Sequence, residues 1–198
     1  QLDVVAANNE KVLKARLSDA KFFFEEDCKE PLESYLDRLK TVVFQEGLGT
    51  VHDKVKRIEA ISEDLCRLLG REAELDLVKR TAVLAKADLA TSMVYEFPEL
   101  QGVMGSKYAL ISGEDPRVAA GIEEHYRPRF AGDDLPKSST GLIVSLADKL
   151  DNIAGYFGLN KVPTGSQDPF ALRRQALGIA QMLLAYNIDV DLRELMQV

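Results

Sequence analysis

Cysteine is scarce in this chain: Cys28 and Cys66 are the only two in 198 residues. They stand apart on segments of helical character, which excludes a disulfide framework; both read as buried thiols of a reducing compartment. Long apolar runs are missing as well, so nothing spans a bilayer, and the first residues carry no secretory-leader pattern. There is no basic excess, since 25 Lys and Arg face 32 Asp and Glu for a net charge of −7. That balance excludes a broad non-specific nucleic-acid binder, which presents a basic face, but it leaves room for a local basic patch. Also absent are a G-x-x-x-x-G-K-[ST] phosphate loop, a G-x-S-x-G elbow and a dinucleotide-binding glycine fingerprint. Neither cysteine has a cationic sequence neighbour that would mark it as a nucleophile. Repeats and low-complexity tracts are lacking, and only Thr41 to Phe44 has any strand character.

What is present is helical periodicity from end to end, which predicts an all-α fold. Asn8 or Asn9 caps a first helix reaching about Cys28, with Val12, Leu13, Leu17, Ala20, Phe23 and Phe24 as its apolar stripe. Pro31 restarts a helix through Leu32, Tyr35, Leu36, Leu39 and Val42, giving an N-terminal helical hairpin. After the break at residues 44–49, Thr50 and Asp53 form a capping-box pair, and Val51, Val55, Ile58, Ile61, Leu65 and Leu68 define a clean face that ends at Gly70. Glu72 to Phe97 is apolar on several sides and is expected to be one long, central helix. Further helices are expected from Pro98, from Asp115-Pro116, across Gly141 to Phe157, and after Asp191. The chain opens on Gln1 in polar helical sequence, as a piece of a longer protein would.

Two groups of residues suggest chemistry. In the stretch from Pro163 to Arg174, Asp168 stands as an N-cap and Pro169 as the first helical residue, so Arg173 and Arg174 project from the first turns of a helix beside a loop. Guanidinium forks held there suit phosphate or carboxylate oxygens, while a solvated helix face is the ordinary reading. The second group is His52, Asp88, His125 and Asp148, whose imidazoles and carboxylates are suitable divalent-metal ligands if separate helices bring them together. The ordinary reading is that the histidines are simply hydrogen-bonded, and that Asp88 and Asp148 pair with Lys86 and Lys149 or cap helix ends.

In order and surroundings, His52-Asp53-Lys54-Val55, Ala87-Asp88, Glu124-His125-Tyr126 and Ala147-Asp148-Lys149-Leu150-Asp151 resemble the HD superfamily of metal-dependent phosphohydrolases. Ala87 stands where that family's paired histidine belongs, and a methyl group offers no lone pair. The central ligand is lost, so no functional metal and no hydrolysis are expected.

A more extensive resemblance is carried by Ala15-Arg16-Leu17-Ser18-Asp19-Ala20-Lys21-Phe22-Phe23-Phe24-Glu25-Glu26-Asp27, Leu39-Lys40-Thr41-Val42-Val43-Phe44-Gln45, Leu84-Ala85-Lys86-Ala87-Asp88-Leu89, Glu96-Phe97-Pro98-Glu99-Leu100-Gln101-Gly102, Ala147-Asp148-Lys149-Leu150-Asp151 and the segment from Pro163 to Arg174. Together these resemble the beta subunit of the bacterial two-subunit glycyl-tRNA synthetase. The resemblance implies a cytoplasmic fragment with no membrane association, bearing a degenerate HD-like domain. It divides the chain into an N-terminal helical segment (1–46), the HD-like domain (47–160) and a loop with C-terminal helices (161–198). It also implies a non-catalytic module for tRNA contact and scaffolding. Its partners would be tRNA-Gly, the alpha subunit and the remaining beta-subunit domains. The complete enzyme would use ATP and Mg; this segment, which lacks the glycine-rich, arginine-ended ATP motif of a class II core, would bind no cofactor. Backbone-phosphate contacts would fall to Arg127, Arg129, Lys137, Lys149, Lys161, Arg173 and Arg174. The competing readings are a metal-dependent phosphohydrolase that tolerates Ala87 and a purely structural spacer.

Overall fold

A computed structural model describes residues 2–197 and shows an all-α architecture with one two-stranded ribbon. In chain order it contains α1 (Leu2–Asp27), a 3₁₀ segment (Leu32–Thr41), β1 (Val43–Gln45), β2 (Gly49–Thr50), α2 (Val51–Leu68), α3 (Leu75–Leu84), α4 (Ser92–Glu96), α5 (Val103–Ile111), α6 (Pro116–Glu124), α7 (Ser139–Gly158), α8 (Leu172–Ala185) and α9 (Leu192–Leu195). Among the described residues no helix is long and apolar enough to cross a membrane.

α7 is the axis of the fold, not the expected Glu72–Phe97 helix. Every residue from Thr140 to Asp151 is buried. α2, α3 and α8 close around it in one apolar cluster that joins Ile58, Leu65, Val78, Ala82, Ile143, Leu146, Ile179 and Met182. A second cluster gathers Leu32, Tyr35, Leu84, Ala87, Met93, Met104, Tyr108, Val118 and Ile122, with Phe23 and Phe24 of α1 packed against it. Burying such side chains at roughly 25 cal/mol per Å² of apolar surface is the main force holding these helices together.

Several local signals set the boundaries. The Thr50 hydroxyl accepts from the Asp53 N–H at 3.2 Å while Asp53 Oδ2 accepts from the Thr50 N–H at 2.8 Å, the reciprocal pair the sequence predicts. Asp115 and Asp191 cap α6 and α9 through their carboxylates. The strand-like residues near Thr41 do form β1, whose partner is the short β2 before α2.

Five expectations need correction. Asn8 and Asn9 do not cap α1, which already runs from Leu2. The stripe on α1 is buried only toward its end: Phe23 and Phe24 pack on the core, whereas Val12, Leu13 and Leu17 are 60%, 59% and 68% exposed because none of the described residues lies over them. The segment after Pro31 is a tight 3₁₀ turn rather than an α-helix. The Glu72–Phe97 stretch is broken after Leu84, since Thr91 takes an extended conformation and caps α4, and Asp27 of α1 accepts the N–H groups of Ser92 and Met93, both at 2.9 Å. Asp27 also accepts the Tyr108 hydroxyl at 2.9 Å, so one buried carboxylate ties α1 to α4 and α5. Pro98 likewise opens a 3₁₀ turn, and α5 begins only at Val103.

Candidate functional site: a lysine-lined cleft beside Asp148

α7 carries Asp148 and Lys149 to one wall of a cleft of about 480 Å³. Lys54 and Val51 of α2, Lys86 from the turn after α3, Tyr126 and Arg129 from the loop after α6, and Arg174 of α8 complete its lining, together with Phe44 and Leu89. Five of these side chains are cationic and only one, Asp148, is a carboxylate.

Asp148 is held between two ammonium groups. Lys54 Nζ lies 2.9 Å from Oδ1 and Lys86 Nζ lies 3.1 Å from Oδ2. Burial would raise this carboxyl, but Lys54 and Lys86 outweigh it and hold it well below the usual carboxylate range. Lys54 also donates to Asp151 Oδ2 and Asn152 Oδ1, each at 2.7 Å. Lys86 has one carboxylate contact and otherwise lies over the Tyr126 ring, 3.9 Å from its centroid. Burial pushes its pKa down, with Asp148 working against the shift. Lys149 donates to the Arg127 carbonyl at 2.9 Å and the Ser145 hydroxyl at 2.7 Å, both neutral oxygens, and burial lowers it to about 8. The Tyr126 hydroxyl is buried without a hydrogen-bond partner.

The four candidate metal positions, His52, Asp88, His125 and Asp148, are not brought together as a ligand set. Asp88 turns toward α5, where its Oδ2 accepts the N–H groups of Gly102 at 2.6 Å and Gly105 at 3.0 Å; burial raises it to about 6 against those two bonds. This carboxylate caps a helix start, where the macrodipole also favours it. His125 is fully buried, with its Nδ1 2.6 Å from the Ile122 carbonyl, and burial and then Lys86 keep it well below the ordinary histidine pKa. His52 is half-exposed on the first turn of α2 and does not line the cleft. Ala87 is buried in the second apolar cluster. Among the described residues no group of three or more His, Cys, Asp or Glu side chains is placed to hold a metal ion. The donor set does not fit one either: the carboxylate of Asp148 already has two lysines as counterions, and Asp88 spends its Oδ2 on backbone. Of the ordinary readings, Asp148 does pair with Lys86 and Asp88 does cap a helix, but Lys149 meets neutral oxygens.

The cations expected to meet RNA occupy different settings. Arg129, Lys149 and Arg174 line the cleft; Arg127, Lys137, Lys161 and Arg173 do not. Arg127 pairs with Glu123 at 2.8 Å and Arg129 with Asp133 at 3.0 Å. The backbone of Lys137 is tied down by the Glu124 carboxylate at 3.0 Å, and Lys161 lies over the Phe170 ring at 5.4 Å. Asp168 and Pro169 do not start α8 as expected. Ala171 precedes the helix in a left-handed conformation with φ 55°, and Asp168 reaches forward to accept the N–H groups of Leu172 at 2.8 Å and Arg173 at 3.0 Å. Arg173 is then drawn back to the Gly165 carbonyl at 2.6 Å, so the two arginines diverge. Arg174 is exposed and, among the described residues, has no hydrogen-bond or ion-pair partner.

Sequence reasoning missed Lys54 and Tyr126. Lys54 did carry a signal: with Val51, Val55 and Ile58 it falls on the buried face of α2, where a lysine needs a reason. Tyr126 had none beyond its place beside His125.

The sequence of this helical chain has curated relatives. The sequence profile of the glycyl-tRNA synthetase beta subunit family matches residues 1–198. The chain is 58% identical to the glycine–tRNA ligase beta subunit of Desulforamulus reducens, covering 99% of this chain and 28% of that protein. It is 55% identical to the corresponding subunit of Clostridioides difficile, covering 100% and 29%, and 55% identical to that of Gloeothece citriformis, covering 98% and 27%. The chain belongs to the glycyl-tRNA synthetase beta subunit family, and it spans a little over a quarter of the length of these curated relatives.

Proposed function

We propose that this chain is a non-catalytic helical module of a glycine–tRNA ligase beta subunit, a degenerate HD-type domain that contacts tRNA-Gly and supports the assembly around it. Its setting would be cytoplasmic, with the alpha subunit and the remaining beta-subunit domains as protein partners. ATP and Mg would be used elsewhere in the complete enzyme. The observation that carries this reading is the cationic cleft with Arg129 and Arg174 at its mouth, in a chain whose family acts on tRNA by name. Phosphate pairing there, together with Lys137 and Arg173 nearby in sequence, would position RNA without reading its bases. The exposed Val12, Leu13 and Leu17 on α1 favour a scaffolding role alongside this, since the rest of a subunit more than three times as long would supply cover for such a stripe.

The test is titration of the chain with tRNA-Gly and with a non-cognate tRNA, at low and at near-physiological salt. The expected result is association that weakens with salt and is reduced several-fold by Arg129→Ala and Arg174→Ala. Absence of binding at low salt would leave scaffolding as the function.

A further inference from the structure

The floor of the cleft has more positive charge than its own carboxylates neutralise. Lys54 faces two carboxylates, Asp148 and Asp151, but the other two buried lysines do not. Among the described residues Lys149 has no carboxylate at hydrogen-bond distance, only a carbonyl and a hydroxyl. Lys86 has a single ion-pair partner, which it shares with Lys54. An ammonium carries three donors, so Lys86 retains two spare N–H groups and Lys149 one. Arg174 stands exposed at the mouth and, among the described residues, has no hydrogen-bond or ion-pair partner. A buried charge without a counterion is costly, and so is a buried polar group without a partner.

We infer that the cleft is a binding site for a phosphate monoester, whose dianionic end is received by Lys86 and Lys149 with Arg174 closing over it. A terminal phosphate brings a charge of −1.5 to −2 and three strong acceptor oxygens, which matches the spare donors in number and supplies the missing counterion. The volume of about 480 Å³ is far more than a phosphate needs. Phe44 and Leu89 in the lining give the remainder an apolar and aromatic surface, suited to an organic body such as a nucleoside. The same chemistry has two sources, a free mononucleotide or the phosphorylated end of an RNA strand. The inference shares Arg174 with the tRNA reading but stands whether or not tRNA binds, because its charge comes from the buried Lys86 and Lys149.

The experiment is calorimetric titration of the chain with inorganic phosphate, AMP and adenosine at low salt, repeated with Arg174→Ala and Lys149→Met. Wild-type chain is expected to bind AMP and not adenosine, and each variant to weaken AMP about tenfold or more, a loss of about 1.4 kcal/mol. Arg174 is exposed, so its variant keeps the fold even if Lys149→Met does not, as circular dichroism will report. Failure of both phosphate and AMP to bind the wild type overturns the inference, as does AMP affinity unchanged in Arg174→Ala and a folded Lys149→Met. Competition then separates the sources. Displacement of AMP by a 5′-phosphorylated RNA oligonucleotide but not by its 5′-hydroxyl counterpart assigns the site to strand ends, and displacement by neither assigns it to free nucleotide. AMP binding without tRNA binding removes the tRNA reading and keeps the cleft; tRNA binding without AMP or phosphate binding does the reverse.

Discussion

Lys86 stands 3.1 Å from Asp148 and occupies, with Lys54 on the other oxygen, the electrostatic position a divalent cation would take against that carboxylate. The ammonium groups are covalently part of the fold, so they cannot be chelated or exchanged. Restoring the missing imidazole by Ala87→His is therefore expected to bring no metal. It would also overpack the apolar cluster around Ala87, at a cost of roughly 1–3 kcal/mol. Inductively coupled plasma analysis after dialysis against Mn or Zn, with a urea melt alongside, checks both halves. Stoichiometric metal in the variant would show that the lysines do not neutralise the site.

Asp88 gives a pH-dependent prediction. Its pKa is raised by burial from 3.8 to about 6, so the group favours the fold fully below 3.8, and that contribution fades as pH rises through 6. Asp88→Asn keeps an oxygen for the Gly102 and Gly105 N–H groups and has no such titration. The stability gap between wild type and Asp88→Asn should therefore narrow between pH 4 and pH 7.5, by up to about 3 kcal/mol. Urea unfolding of both proteins at the two pH values measures it. A gap that widens with pH would mean that the ionised carboxylate is the favoured form.

Two glycines mark where helices approach too closely for a side chain. A Cβ on Gly121 of α6 would lie 2.6 Å from Thr140 Oγ1 and 2.7 Å from Thr81 Cγ2. One on Gly105 of α5 would lie 2.7 Å from Ile122 Cγ2 and 3.0 Å from Asp88 Oδ2. Alanine normally strengthens a helix interior by about 1 kcal/mol over glycine. Here Gly121→Ala and Gly105→Ala should each lose roughly 1–3 kcal/mol instead, because fully packed neighbours must move. Thermal melts decide the sign, and a raised melting temperature for either would show that the crossing has slack.

Much of this architecture is legible in the chain because it is written locally. Thr50 with Asp53, Asp115 with Pro116, and Asp191 each place a helix start through bonds spanning two or three residues. The misreadings occur where distant partners decide. Nothing between Glu72 and Phe97 announces that a carboxylate 65 residues earlier, Asp27, will take the N–H of Ser92 and open a new helix there. Asp168 has the right residue type for a cap, but it acts from four residues away across a left-handed Ala171. At the cleft, the sequence identifies Asp148 and Lys149 and weighs the Lys86 pairing. It cannot say that Lys54 arrives 94 positions away in sequence on the opposite wall, because that depends on how α2 crosses α7.

The carboxylate of Asp27 also divides α1 into two regimes of motion. Near its C-terminal end the helix is clamped by bonds to Ser92, Met93 and Tyr108 and by Phe23 and Phe24 against the core. Toward the other end, Val12, Leu13 and Leu17 face outward, so the helix there rests on its own backbone bonds, which are marginal for a dozen or so residues in water. Amide hydrogens beyond the clamp should exchange through simple fraying, while those near it wait for the whole domain to open. One helix thus joins a clamped end to an end that the described residues leave uncovered, and the boundary between them is set by one buried side chain.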